Sequence, residues 1–383
     1  MIIVLGTSTL LAYPQGGGQW SWHLQFLLGL RALGHEVFLL EVPPHPRSEI
    51  DDRRINVFFA RMQRFGLGNR CAVLLHDLAQ PELGIKDSVY GMEVSSLKDL
   101  IRRADVLWNF HCSLRPPLLH EFKWKALIDV DPGHLQISAL SWNMSINEHD
   151  VLFSVGTKIN DRDCEIPKLG RTWHTFLPVV HLPFWTVEPA RMEAPITSVT
   201  QWNWGDDLPF DGRTLSSSKR DAYLRFLQLP RRCSGKFVLA ANIDPDDDTG
   251  DRELLVEHGW TLAHHNRCGR TVVQYQRFIC NSLAELGCAK SVYTALRTGW
   301  FSDRSAAYLA SGRPVIAEDT GFLEHVPGGI GLLAFKNVDE AATAVDELLT
   351  NYRHHQLAAR QIAEAYLSGE RVLPRMVELS SKR

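Results

Sequence analysis

The sequence predicts an α/β protein made of two doubly wound, Rossmann-like domains that face each other across a central cleft. Three observations carry this expectation. Short apolar runs alternate with amphipathic stretches along most of the chain, the pattern of parallel strands joined by helical crossovers. The length of 383 residues is about twice that of a typical single domain. A stretch from Gly170 to Pro195, punctuated by Pro178, Pro183 and Pro189, breaks the alternation near the middle. The expected division is a first domain over residues 1–185, a second over 186–370, and a C-terminal helix over 371–383 that returns to the first.

The elements follow in order. Met1–Gly6 is an apolar run ending in glycine and threonine, as a buried parallel strand does. After Gly16-Gly17-Gly18, residues Trp20, Leu24, Leu27, Leu28 and Ala32 recur at helical spacing until Gly34 stops the helix, which is expected to open at Gln19 or Trp20. Glu36–Val42, Ala72–Leu75, Val106–Asn109, Ala126–Val130 and Val151–Val155 complete the first strand set. The second set is Ile196–Gln201, Phe237–Ile243, Trp260–Ala263, Ser291–Leu296, Pro314–Ala317 and Leu332–Phe335. Asp244–Asp251 reads as a solvated acidic turn, because it lacks the spacing and final glutamate of a calcium loop. The tail is helical: Asn337 and Glu340 form a capping box, then a helix runs from about His354 to Leu367 and a short one to Leu379.

Composition narrows the function. Apolar content of 45% and charged content of 22% describe a folded chain. The net charge of −3, with basic residues in isolated pairs such as Arg53-Arg54 and Arg231-Arg232, argues against nucleic acid as a partner. No apolar run reaches the ~20 residues of a membrane span. The seven cysteines include no Cys-x-x-Cys pair, which argues against a disulfide framework or a zinc site and suits a reducing cytosol. The expected location is therefore cytoplasmic.

Two regions can carry chemistry. Gly17 and Gly18 stand between a first strand and a helix start, where the backbone can approach a ligand and free amides can hold an anion. A flexible connection is the competing reading. The spacing is not the dinucleotide fingerprint, although Glu41 near the end of the second strand keeps a dehydrogenase as an alternative. The second region runs from Lys290 to Phe322. A strand opening at Lys290 leads to a helix whose first turn carries Ser302, Arg304 and Ser305, and the next strand ends in Glu318, Asp319 and Thr320. Hydroxyls, amides and a guanidinium there suit a diphosphate, and carboxylates suit sugar hydroxyls. A capped helix with a solvated acidic loop is the plain alternative, and Asp303 favours it.

The run Gly299-Trp300-Phe301-Ser302, then Gly312-Arg313-Pro314-Val315-Ile316-Ala317 and Asp319-Thr320-Gly321-Phe322, resembles the donor-site region of GT-B glycosyltransferases. One branch of that family has a histidine where this chain has Arg297. Another has two glutamates at positions that here read Gly299 and Ala307. The likeness is strongest to bacterial GT-B proteins carrying Trp-Phe-Ser-Asp-Arg-Ser and Ala-Ser-Gly-Arg-Pro-Val. It extends to Pro14–Gly18, Asp129–Gly133, Val151–Gly156 and Thr200–Gly205. The resemblance implies the GT-B fold and a nucleoside-diphosphate sugar as substrate, with no cofactor and no metal. Ser302 matches the helix-start serine near phosphate and Asp319 the acid near the sugar. His264 and His265 sit at the strand end where such folds contact the base.

An inverting glycosyl transfer needs a base near the acceptor, and His23, His111 and Asp131 are the candidates at carboxyl strand ends or near the glycine loop. His23 could equally be a packed helix residue. Trp20, Trp22, Trp108 and Trp142 suit a small-molecule acceptor that is aromatic or hydrophobic, or else form core. A nucleotide-sugar 2-epimerase and a non-catalytic nucleotide-sugar-binding protein are the rival functions.

Overall fold

The computed structural model describes residues 1–44, 50–75, 88–203, 205, 207–244, 246 and 249–381. Trp204 of the resemblance and residues 245, 247 and 248 of the acidic turn lie outside these.

The first sheet holds β1 (Ile2–Thr7), β2 (Glu36–Glu41), β3 (Cys71–Leu75), β4 (Ser88–Tyr90), β5 (Val106–Phe110), β6 (Lys125–Asp129), β7 (Val151–Ser154) and β8 (Trp173–Thr175). Its spatial order is β4-β3-β2-β1-β5-β6-β7-β8, parallel throughout except at the β4 edge. A two-stranded hairpin follows the start of the second sheet. Together these segments are β9 (Ile196–Thr200), β10 (Leu208–Phe210), β11 (Arg213–Leu215), β12 (Phe237–Ala241), β13 (Thr261–His264), β14 (Ala284–Gly287), β15 (Val315–Glu318) and β16 (Leu332–Phe335). The second sheet is ordered β13-β12-β9-β14-β15-β16 and is parallel throughout. Both sheets are therefore doubly wound, with the winding reversed beside β1 in one and beside β9 in the other.

The strands form where apolar runs are buried on both faces: β3 and β5 have no exposed residue. One expected strand is corrected. Ser291–Leu296 is not a strand; Ser291–Ala295 is a short helix, with Lys290 at its N-cap. Val292 and Leu296, one helical turn apart, both bury against Gly133 of the first domain. The true strand is β14, whose pattern is masked by Glu285, a charged residue in the middle of a fully buried run. β4, β8 and the β10–β11 hairpin are three-residue strands and too short to announce themselves.

The domains meet closely. Thr157 Oγ1 donates to the Gly299 carbonyl at 2.8 Å, and Gly156 bridges to Trp300. A mixed apolar cluster joins Leu135 and Ile146 to Val292 and Leu296. The last helix, Gly369–Ser381, packs on the first, Gly17–Ala32, and Trp108 Nε1 donates to Ser380 Oγ at 3.0 Å. The chain passes between the domains twice. The two passages are joined where Val180 N donates to Leu367 O and Gly369 N to Val180 O, both at 2.9 Å. Among the described residues no helix is long and apolar enough to cross a membrane.

Candidate functional site

In an open parallel sheet, ligands settle beyond the carboxyl ends of the strands where the winding reverses. Here those points are the ends of β1 and β5, and the ends of β9 and β14. A cavity of about 610 Å³ lies between the ends of β1 and β9, walled by Tyr13–Gln19 after β1, Val199–Gln201 at the end of β9, and Tyr275, Asp303 and Arg304. A second cavity of about 650 Å³ adjoins it through Asn242 and His265 and is lined by His264, Asn266 and Arg252. The two histidine rings stack with centroids 5.0 Å apart, and His264 Nδ1 accepts from Asn266 N at 3.2 Å.

The glycines have a second use besides lining the cavity. The first helix opens at Gly17, ahead of the expected Gln19 or Trp20. A Cβ on Gly17 would stand 2.5 Å from the carbonyl oxygens of both Gly269 and Thr271, and one on Gly18 would stand 3.3 Å from the Tyr275 ring. Only glycine lets this helix end abut the opposite domain.

At the facing helix, Asp303–Ala310, Ser302 is the N-cap and its hydroxyl accepts from Arg304 N at 3.2 Å. Ser305 is buried. Arg304 pairs neither with Asp303 nor with a surface carboxylate: its Nε donates to Glu285 Oε1 at 2.5 Å and its Nη1 to Val199 O at 3.2 Å. Glu285 is 0% exposed, so the guanidinium neutralises a charge inside the sheet while lining the cavity. Asp303 also lines the cavity, and burial raises its pKa although Arg304 opposes this.

The carboxylates after β15 hold loops. Glu318 accepts from Arg225 Nη2 at 2.7 Å and from Ala289 N at 2.8 Å. Asp319 Oδ1 accepts from Gly321 N at 2.8 Å, and the buried Thr320 hydroxyl donates to Trp300 O at 2.6 Å.

The three candidate bases differ in freedom. His23 is buried, with Nδ1 at 2.9 Å from Gln19 O and Nε2 at 2.9 Å from Thr7 Oγ1. A nitrogen facing a carbonyl must carry the proton, so Nε2 accepts from the Thr7 hydroxyl and its lone pair is spent. Burial drives its pKa down to about 3. Asp131 accepts from Lys290 Nζ at 2.7 Å and from the Tyr293 hydroxyl at 2.5 Å, which ties the two domains together. Burial would raise its pKa, but Lys290 and His134 outweigh that and leave it at about 2.

His111 directly follows β5 at the reversal point. It and Cys112 both have left-handed backbones, φ 52° and 54°, an uncommon pair for non-glycine residues. Burial lowers its pKa to about 4, with Asp131 opposing and Lys290 and His134 assisting. The imidazole is therefore uncharged near neutrality, and no ring hydrogen bond to a described residue occupies it.

Lys219 was missed from sequence. It is 7% exposed, its Nζ donates to Cys288 O, and it lies 5.0 Å from the Trp300 ring centroid. Burial, then the charges of Arg304 and Lys290, lower its pKa to about 7. A signal did exist. Lys219 directly follows the N-cap Ser218, and a cation opposes the dipole at a helix start.

Three of the four tryptophans proposed for an acceptor are core: Trp20, Trp22 and Trp108 are buried, whereas Trp142 is 72% exposed. Glu41 is also buried. It accepts from Leu11 N at 2.9 Å and so braces the loop after β1 instead of facing a ribose. Among the described residues no group of three or more His, Cys, Asp or Glu is placed to hold a metal ion.

No family model matches the sequence, and no curated protein matches it either. Solved structures do match in three dimensions. An alpha-glucosyltransferase in complex with UDP-glucose and DNA containing an abasic site superposes with TM-score 0.59 at 11% identity, over 100% of both chains. Anabaena HepE in complex with UDP and glucose gives 0.62 at 10% identity, again over 100% of both. Sucrose-phosphate synthase from Thermosynechococcus elongatus gives 0.57 at 11% identity, over 99% of this chain and 98% of that one. The likeness is one of fold: the chain has the GT-B fold shared by these glycosyltransferases. It also corrects the expectation about partners. The net charge argued against nucleic acid and the tryptophans suggested a small hydrophobic acceptor, yet proteins of this fold are held in complex with DNA. A charge summed over the whole chain says nothing about where the charges gather.

Proposed function

We propose that the chain is a glycosyltransferase that moves a sugar from a nucleoside-diphosphate sugar to an acceptor hydroxyl in the cleft. The observation that carries this reading is the meeting of two reversal points, one from each sheet, around one cavity of about 610 Å³. The nucleoside lies in the adjoining cavity against His264 and His265. Uridine is the base to test first, because both HepE and the alpha-glucosyltransferase are described with UDP. The diphosphate lies between the Gly17-Gly18 helix start and the Ser302-capped helix. Arg304, which lines the cavity, is the cation placed to meet the leaving group as it gains negative charge. Burial and the neighbouring charges of Arg304 and Lys290 lower the pKa of Lys219 to about 7, so added negative charge beside Arg304 favours its cationic form. His111 is the base that takes the acceptor proton: it is neutral, unoccupied and held at the end of β5 by a left-handed backbone. The DNA in the similar structures makes a nucleic-acid hydroxyl the first acceptor to test.

The test is UDP-glucose turnover with and without acceptor. Acceptor-dependent release of UDP supports transfer. Recovery of an isomerised sugar, or binding without turnover, sinks it in favour of an epimerase or a non-catalytic binder. His111→Gln is expected to lower kcat by about 10²- to 10⁴-fold with an unchanged Tm. Near-normal turnover in that variant removes His111 from the reaction. Because the helix starts and Arg304 can hold the diphosphate, transfer is expected to persist under a strong chelator.

A further inference from the structure

From His258 to Leu283 the sequence has three arginines, three histidines and no aspartate or glutamate, in a chain whose net charge is −3. This segment folds into β13 and the helices His265–Gly269 and Val272–Cys280, along the edge of the second domain. Arg267, Arg270 and Arg277 are exposed. No described carboxylate pairs with any of them, whereas Arg220, Arg225 and Arg304 of the same domain all have one. Arg61 faces the strip from the first domain, its guanidinium 4.9 Å from the Trp20 ring centroid and donating to Pro14 O at the cavity wall. Its pKa is lowered by burial and then by the charge of Arg270, so the fold gathers like charges that lie far apart in sequence. Gathering them is unfavourable unless an anion answers.

A groove of about 460 Å³ runs beside Arg267 and Arg277, with Gln274, Phe278 and Asn281 in its wall. Arg270 stands just before the helix Val272–Cys280 and Arg277 lies within it, so the strip extends along that helix. A concave groove with an aromatic ring and guanidinium donors fits an unpaired strand, whose phosphates take the cations and whose bases stack. A lipid surface would call for large exposed apolar side chains, and the strip has none.

We propose that this strip is the track along which a single-stranded nucleic acid lies as it enters the cleft, with Arg267, Arg270 and Arg277 on its phosphates and Arg61 completing the rim across the domain boundary. The strand's role as acceptor rests on the transferase reading; its binding does not.

The experiment uses the full chain and a fluorescent oligodeoxythymidine, with binding followed by anisotropy across a salt series. Three to four phosphate contacts on a single strand give a slope of about −2 to −3 in log K against log salt. Arg270→Glu with Arg277→Glu is expected to weaken binding more than about tenfold and to flatten the slope by about 1.4, two contacts at ~0.7 each. Calorimetric UDP affinity and Tm should stay unchanged in that variant, and Arg277→Gln alone should give a smaller loss of the same kind. A charge-reversed variant that binds like the wild type overturns the track. So does a wild type that ignores the oligonucleotide, or that prefers phosphatidylserine vesicles to it. Intact oligonucleotide binding with no sugar-nucleotide turnover leaves the track standing and sinks the transferase.

Discussion

Two sets of buried ionisable groups, one from each domain, are treated in opposite ways. In the first, burial removes charge: His23 stays neutral to about pH 3, and Glu41 stays protonated to about pH 8. In the second, charge is kept and answered: Arg304 meets Glu285 inside the sheet, and Arg225 meets Glu318. Neutral groups can brace a loop through single hydrogen bonds, as Glu41 does with Leu11. An ionic core holds an electrostatic environment fixed, which suits the side proposed to face a diphosphate. The first set should therefore answer to pH, and the second to removal of one partner of a pair.

The largest expected effect breaks the second half of that comparison. Arg304→Ala leaves the Glu285 carboxyl without its partner in a fully buried strand, and is expected to destabilise the fold by about 3–5 kcal/mol. The double variant Arg304→Met with Glu285→Leu should recover most of this, because removing both charges leaves no orphan. Urea unfolding of the three proteins measures it. A stable single variant would show that the Arg304–Glu285 pair does not hold the strand, and would remove the contrast between the two sets.

A smaller effect tests the first half. Unfolded Glu41 loses its proton near pH 4.5, but the folded chain holds it to about pH 8. Between those values the folded state carries the extra proton, so stability falls as pH rises. Glu41→Gln, which keeps an amide-accepting oxygen, should flatten that decline in Tm between pH 5 and 8. His23 works the other way: its folded pKa of about 3 lies below the unfolded 6.5, so its contribution is lost as pH falls below 6.5. An identical pH profile in Glu41→Gln and wild type would remove the contrast.

The smallest effect is a control on exposure. Arg297 and Asp163 pair at 2.9 Å across the domain boundary, but both side chains are nearly half exposed. Arg297→Ala is expected to shift stability by at most ~1 kcal/mol, and less in high salt. A loss as large as that of Arg304→Ala would show that position at the boundary, not burial, sets the energetics.

Most of the fold was legible because its parallel strands are short apolar runs, most of them buried on both faces, and eleven runs stand where the sequence puts them. β14 escaped because Glu285 breaks its run. That charge makes sense only beside Arg304, which comes from a later helix. The glycine loop and the Ser302 cap were visible from local pattern. Arg304's partner, the Asp131–Lys290 tie and the gathering of Arg61 with Arg270 were not, because each joins residues brought together only by the winding of the sheets. Lys219 could have been found from its unfavourable place at a helix start.

The two passages between the domains, laced together at Val180 and Ser368, have a mechanical consequence. A single thread would let one body swivel freely on the other. Two threads bonded side by side resist torsion and leave bending about the line on which they are fastened. Opening of the cleft is then that of a book on its spine, and each side of the cavity returns to the same opposite page.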